Sequence, residues 1–468
     1  MVRPLIQALY KQPRKQVAPT LGSSAVATFR DRLRGWLVTP EEDGYDTARR
    51  VWNGRIDRRP ALIAYCANEP DVVSAVRFAR ECELLTAVRS GGHGCAGAAV
   101  CDDGLVIDLS LMKAIEMDAP GRAARAQAGV LWSELDRATQ ASGLAVPGGT
   151  DSEVGIAGLT LGGGNGWLMG LYGATCDNLL AAEVVLADGR SVSTSDAENP
   201  DLFWALRGGG GNFGIVTSFR YRLHSVGPTV IGGAVLYAYK DARQVLRGFR
   251  EFAPTAPDAL TVYACLIYDQ AQPVVAIAAC YAGPLDNAAT AVAPLRSWGT
   301  IVADQLRPMS YLELQSLFDA ARPAGRYAAM RSNFMANLPD EAIEVLIDRC
   351  SATPSPLSAV IVEHCHGAIA RVAPDATAFG LRSNPFHLEI LGFWDGADHS
   401  AANLRWVTDF FAAMHPFDVG EVYVNSLDEG ESSRVREAYG RNYDRLAALK
   451  TKFDPTNFFR CNQNIPPG

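Results

Sequence analysis

Apolar positions at 72, 73, 76, 78 and 79 repeat with helical spacing and predict a helix over 69–83. Short apolar runs at 60–65, 84–89 and 104–109 bracket that helix and read as strands. A further strand at 124–129 leads into a helix over 131–142. Beyond it come a strand at 182–186, a hairpin turn at Ala187-Asp188-Gly189, a helix at 201–206 and a strand at 215–223. Upstream, 45–56 reads as a helix that ends near Asn53-Gly54.

From 230 onward the pattern changes. Alternating runs at 230–239, 260–268, 274–281, 357–364 and 386–394 predict an antiparallel sheet, with helices at 242–252, 311–321 and 340–351 over one face. The chain closes with a helix over 432–449, which Asp454-Pro455 terminates. The fold class expected is α+β: two α/β subdomains and an inserted domain built on an antiparallel sheet backed by helices. The expected divisions are an N-terminal extension at 1–25, a ligand-binding domain at 26–228, a substrate domain at 229–415, and a segment at 416–468 that returns to the first domain.

With 468 residues the chain exceeds what one core usually supports. Its net charge of −8 and the lack of an Arg/Lys stripe argue against nucleic acid and anionic membrane surfaces as partners. No apolar run approaches a membrane span. The first 25 residues are basic and broken by Pro4, Pro13 and Pro19, without a secretory apolar core. Ten cysteines without a C-x-x-C pair suit reduced thiols in a cytoplasmic protein, with a few bridges in an exported form left open.

The candidate chemistry begins at R-S-G-G-H-G, residues 89–94, set between two strands. Glycines there let backbone N–H groups converge on an anion, most simply a diphosphate; the alternative is an ordinary glycine-rich turn. A Rossmann loop would run on into a helix, whereas this one returns to a strand. A second glycine-dense stretch, 148–166, suits backbone pressed against a flat ligand, and G-G-G-G-N-F-G at 208–214 opens the strand at 215–223.

In this order the segments resemble the vanillyl-alcohol oxidase and p-cresol methylhydroxylase superfamily, in its berberine-bridge-enzyme-like branch. The resemblance runs from about 44 to 223 and resumes at the C-terminus. It implies FAD, attached through His93 to the flavin 8α-methyl group. It further implies a cradle from Arg89, Ser90, Gly91, Gly92 and Gly94, then from Gly149, Thr150, Gly155, Gly158, Gly163, Gly164 and Gly166. Asn178, Gly214, Ile215, Val216, Asn425, Asn462 and Asn464 complete the cofactor set. Asp151 stands where many relatives carry a second, cysteinyl attachment, so the link is expected to be single. Asp151 is then free to bind substrate or simply to be solvated, and Cys176 reads as a small buried hydrophobe.

Berberine-bridge enzymes use a glutamate on a substrate-domain strand as base, and Glu389 in F-H-L-E-I-L-G-F-W matches it. A structural ion pair or an edge-strand charge is the alternative for Glu389. His387 falls on the same strand face and either orients Glu389 or is itself the base. Tyr423 and Asn425, in Y-V-N-S, reach flavin or substrate, or Tyr423 is core; the tyrosine that often follows this asparagine is replaced by Ser426. His364-Cys365-His366 lacks further ligands at a familiar spacing, and no metal is expected.

The expected activity is an oxidase that takes hydride from a C–H next to oxygen or nitrogen of a small or medium organic molecule, with dioxygen giving hydrogen peroxide. A flavin-dependent biosynthetic cyclase, oxygenase or redox-neutral rearrangement enzyme is the alternative. A non-catalytic flavin- or ligand-binding protein is the third.

Overall fold

The computed structural model describes residues 21–468. Most of the stretch expected as an N-terminal extension, residues 1–20, lies outside the described residues. Its last three begin the helix Ser23–Arg32, whose Phe29 stacks on Phe78 of the next long helix at 4.2 Å.

A four-stranded sheet runs in the order Trp36–Val38, Leu62–Tyr65, Leu105–Asp108, Thr86–Arg89, the last three parallel. The helix Glu69–Glu81 crosses between parallel strands, with the Asn68 side chain accepting from Asp71 N at 3.0 Å as its N-cap. The helix expected over 45–56 is only Tyr45–Ala48. Beyond it the backbone is committed elsewhere: Trp52 N donates to Gly92 O and Gly54 N to Arg326 O, while the Asn53 amide bridges Cys95 O and Ala328 O. These bonds tie the loop around His93 to a distant strand at the expense of a longer helix.

Five antiparallel strands form the second sheet, in the order Ile115–Asp118, Ala123–Gln127, Ile215–Arg222, Leu179–Val185, Ser191–Ser195. The third sheet has eight strands and holds the five alternating runs as Thr229–Ala238, Leu260–Asp269, Gln272–Tyr281, Ala359–His364 and Phe386–Trp394. Alternation gives it two apolar faces. Val262, Val360, Val362, Leu388 and Ile390 pack with the helices Ala242–Phe252, Asp340–Ser351 and Ser400–Met414. Tyr263, Cys265, Ile361, Leu391 and Phe393 point the other way, into a core shared with Trp52, Trp167 and Tyr423.

In and over the large sheet, three strands and one long helix were not expected. Tyr327–Met335 carries Arg331, Ser332 and Asn333, which hide its alternation; Ile301–Asp304 and Arg307–Ser310 are short and exposed. The helix Ser400–Met414 is the fourth. The expected helix over 311–321 stops at Gln315. The one over 432–449 is broken at Gly440, with φ +47, into Val435–Tyr439 and Tyr443–Phe453. Around that break Tyr439 OH donates to Gly209 O and the Asn442 amide to Pro374 O.

Candidate active site

Loop 90–94, the glycine-rich stretch, residues 210–216, the C-terminal tail and the inner face of the large sheet enclose a cavity of about 370 Å³. Ser90, Gly91, Gly92, His93 and Gly94 line it, with Gly149, Thr150, Gly155, Gly158, Gly214, Ile215, Val216, Asn425 and Asn462. Arg89 does not. Its guanidinium pairs with Asp108 on the adjacent parallel strand and donates to Arg50 O, so it roots the loop from below.

The glycines divide into two kinds. A Cβ on Gly94 or Gly158 would meet nothing within 4 Å and would stand in the cavity. A Cβ on Gly91 would come within 2.5 Å of Gly155 N, so here two backbones press on each other. Gly163, Gly164 and Gly166 are spaced for protein contacts instead: added Cβ atoms would reach Phe379 at 2.5 Å, Thr175 at 2.2 Å and Gly148 O at 2.0 Å, and none of the three lines the cavity. The expectation that the whole belt faces a flat ligand is corrected to that extent.

Asn178 and Asn464 also lie outside the lining. The Asn178 amide donates to Tyr172 O and Ala174 O, and its oxygen accepts from His224 at 2.6 Å, so it shapes a turn. Asn464 precedes Ile465, whose N–H donates to Asn212 Oδ1 as the tail docks. Cys176 is fully buried, and burial pushes its thiol up, as expected of an inert hydrophobe.

His93 stacks on Trp52, with ring centroids 4.4 Å apart and 20° between planes. Its Nε2 lies 3.5 Å from Asp151 Oδ2. Burial lowers His93 to about 4, with Arg322 adding to the effect. Burial raises Asp151, with Arg322 opposing. Ion-pair spacing therefore does not make a salt bridge here, because the site disfavours charge on both partners. Asp151 is buried, so it is not simply solvated.

Across the cavity's lining, Glu389 sits on Phe386–Trp394, which pairs with Ala359–His364 on one side and Tyr327–Met335 on the other. It is not an edge charge, and among the described residues no cation pairs with it. Ser426 Oγ donates to its Oε1 at 2.9 Å. Burial raises Glu389, Glu363 adds to this, and His387 and Arg322 oppose it.

His387 does not orient Glu389. Register places His387 opposite Glu363, and His387 Nδ1 lies 3.0 Å from Glu363 Oε2 while Nε2 has no partner. Burial works against charge on His387, but the Glu363 carboxylate, together with Glu389, more than offsets it and lifts the imidazole above its ordinary value. Tyr423 OH accepts from Gly164 N and from the Asn425 amide, both at 2.8 Å, which leaves only its proton to offer. Burial raises that phenol, so it is a donor and not a phenolate base.

Glu363, Arg322 and Asn165 line the cavity and were not foreseen. Glu363 had a signal: it is a carboxylate in an apolar run, the same feature that singled out Glu389. It adjoins the His364-Cys365-His366 fragment. The rings of His364 and His366 stack, and among the described residues no group of three or more His, Cys, Asp or Glu is arranged to hold a metal ion. Arg322 lies in R-P-A-G-R, which has no periodicity to read.

Compared with known proteins, residues 60–195 match the family described as "FAD binding domain" and residues 422–466 the family described as "Berberine and berberine like". An FAD-linked oxidoreductase of Dictyostelium discoideum is 31% identical over 94% of this chain and 97% of its own length. The chain belongs to the FAD-linked oxidoreductases with a berberine-like C-terminal segment. Another member, (R)-6-hydroxynicotine oxidase of Paenarthrobacter nicotinovorans, is 33% identical over 93% of this chain and 97% of its own. The crystal structure of 6-hydroxy-D-nicotine oxidase from Arthrobacter nicotinovorans superposes with a TM-score of 0.85 at 31% identity, covering 93% and 98% of the two chains.

This FAD-linked oxidoreductase therefore has the p-cresol-methylhydroxylase type of architecture, with an FAD-binding domain and an antiparallel-sheet substrate domain. The cavity fits such a cofactor on its own terms. Gly94 and Gly158 leave room beside the lining, and the buried Asn165 amide and Asn462 Oδ1 lack partners within the protein. Among the described residues no helix is long and apolar enough to cross a membrane.

Proposed function

We propose that this enzyme oxidises a C–H bond next to nitrogen or oxygen in a small or medium organic molecule, with FAD held by one bond to His93 and dioxygen as the final acceptor, yielding hydrogen peroxide. In this reading 26–228 and 416–468 hold the cofactor and 229–415 the substrate. FAD, when bound, supplies a two-electron acceptor for hydride. The protein supplies position and proton handling.

The observation that carries the reading is that one cavity brings together the His93 loop and an acid–imidazole cluster of half-buried Glu389 with buried His387 and Glu363. Hydride leaves a carbon more easily when the neighbouring heteroatom gives up its proton, and these side chains are the groups able to take it. Trp52, Leu391, Phe393 and Met330 give the lining its apolar part, which excludes water from the reacting carbon. Tyr423 contributes a directed O–H. Asp151 cannot form a thioether, which supports a single link through His93.

The likeness to a relative named for 6-hydroxynicotine supports a carbon next to nitrogen as the first class to test. Acid precipitation should leave flavin with the protein pellet. Flavin released to the supernatant would overturn the covalent link. Anaerobic mixing with amines, starting from 6-hydroxynicotine, and then with alcohols should bleach the flavin. Readmitted air should yield one peroxide per turnover, whereas product without peroxide would assign the enzyme to redox-neutral chemistry.

A further inference from the structure

Among the described residues Asp151 is the carboxylate within ion-pair reach of His93, and neither His93 Nε2 nor Asp151 Oδ2 has a hydrogen-bond partner. The carboxyl is held in place from behind. Its Oδ1 accepts from Glu153 N at 3.3 Å. The turn that carries it is fixed by Ser152, which donates to Asp319 through N at 3.0 Å and Oγ at 2.6 Å. Trp52 covers a face of the imidazole and donates through Nε1 to Arg322 O, so ring and carboxyl are set in a rigid frame.

We propose that Asp151 is the proton acceptor that lets His93 bond to the flavin. The inference rests on the reading of His93 as the attachment point. Joining the imidazole to the 8α carbon breaks one C–H and one N–H bond and forms one C–N bond. The two electrons released pass to the flavin and on to dioxygen, which leaves as hydrogen peroxide with the two hydrogens. Because Nε2 faces Asp151, the bond to carbon forms at Nδ1 and the Nε2 proton goes to Oδ2.

The surroundings suit both halves of this step. Burial keeps the free imidazole neutral, so a lone pair is available at neutral pH. Alkylation of a ring that still held its proton would leave a cation in a buried place, which is costly unless a base removes the proton. Burial and Asp319 raise Asp151 while Arg322 lowers it, so its carboxyl holds a proton better than a solvated one does.

The test needs no substrate. Wild type, Asp151→Asn and Asp151→Ala are prepared free of flavin and incubated with FAD and air. Bound flavin is read from absorbance, and covalent flavin from fluorescence of the chain on a denaturing gel. Asp151→Asn should bind FAD yet acquire the covalent bond about a hundredfold more slowly. Added formate should restore the rate in Asp151→Ala, which a packing role would not allow. Equal attachment rates in wild type and Asp151→Asn would overturn the proposal, as would slow attachment in Asp151→Ala that formate leaves unchanged. A wild-type chain that never retains flavin on the gel would instead overturn the reading of His93.

Discussion

Ser426 Oγ reaches Glu389 Oε1 at 2.9 Å, and this one bond fixes how a half-buried carboxylate meets the cavity. Gln at 389 would keep that bond and the side chain's volume but could not take a proton. Glu389→Gln is therefore expected to retain its flavin while the anaerobic rate of flavin reduction falls about a hundredfold or more, measured by stopped flow with a substrate that bleaches wild type. An unchanged rate would remove Glu389 from the reaction. At this scale the sequence was informative wherever a residue broke a pattern. His93 interrupts a glycine run, and Glu389 interrupts an apolar strand. Pairing was not legible: that His387 meets Glu363 follows from the register of two strands whose ends lie far apart in sequence. Nor could spacing reveal that Gly163, Gly164 and Gly166 face Phe379, Thr175 and Gly148, since a close approach to protein and one to a ligand demand the same missing side chain.

The C-terminal helix Tyr443–Phe453 positions the tail through a single buried cation. Lys450 is fully buried and donates to Asn212 O, Asp454 Oδ2 and Phe459 O, at 2.8, 2.7 and 2.8 Å. Asp454 in turn accepts from the N–H groups of Phe458 and Phe459, so the chain turns sharply and delivers Phe459, Cys461 and Asn462 to the cavity. Lys450→Met would leave the buried Asp454 carboxylate without its counter-ion and take a donor from the Asn212 and Phe459 carbonyls. It is expected to cost about 3–5 kcal/mol in urea unfolding and to expose the tail to protease; a cost under about 1 kcal/mol would mean the ion pair is dispensable. Asp454-Pro455 marked where this helix ends, because proline restricts the residue before it. Strands with clean alternation were equally legible. The break at Gly440 and the strand Tyr327–Met335 were not, because each owes its form to packing against residues remote in sequence.

The two halves of the molecule close around the cavity through contacts that include the helices Trp132–Gln140 and Tyr311–Gln315. Asp136 on the first accepts from the Gln315 amide at 2.9 Å, and both are almost completely buried. Asp136 Oδ1, Gln315 Oε1 and the Tyr311 hydroxyl have no partner. Burial pushes Asp136 up to about 7, with Gln315 opposing. A carboxyl whose folded value lies above its unfolded one binds a proton more tightly when folded. Its junction is then most stable at low pH and loses stability as pH rises from about 4 to about 7, with the full penalty present above that. Asparagine at 136 cannot ionise; it can accept from the Gln315 amide and donate to the oxygen that now lacks a partner. Asp136→Asn should therefore raise stability by up to about 4 kcal/mol at pH 8, by about 1.5 kcal/mol at pH 5, and by little at pH 3. Thermal unfolding of both chains across that range checks this. A difference that stays constant with pH would mean that Asp136 is not the group titrating between the halves.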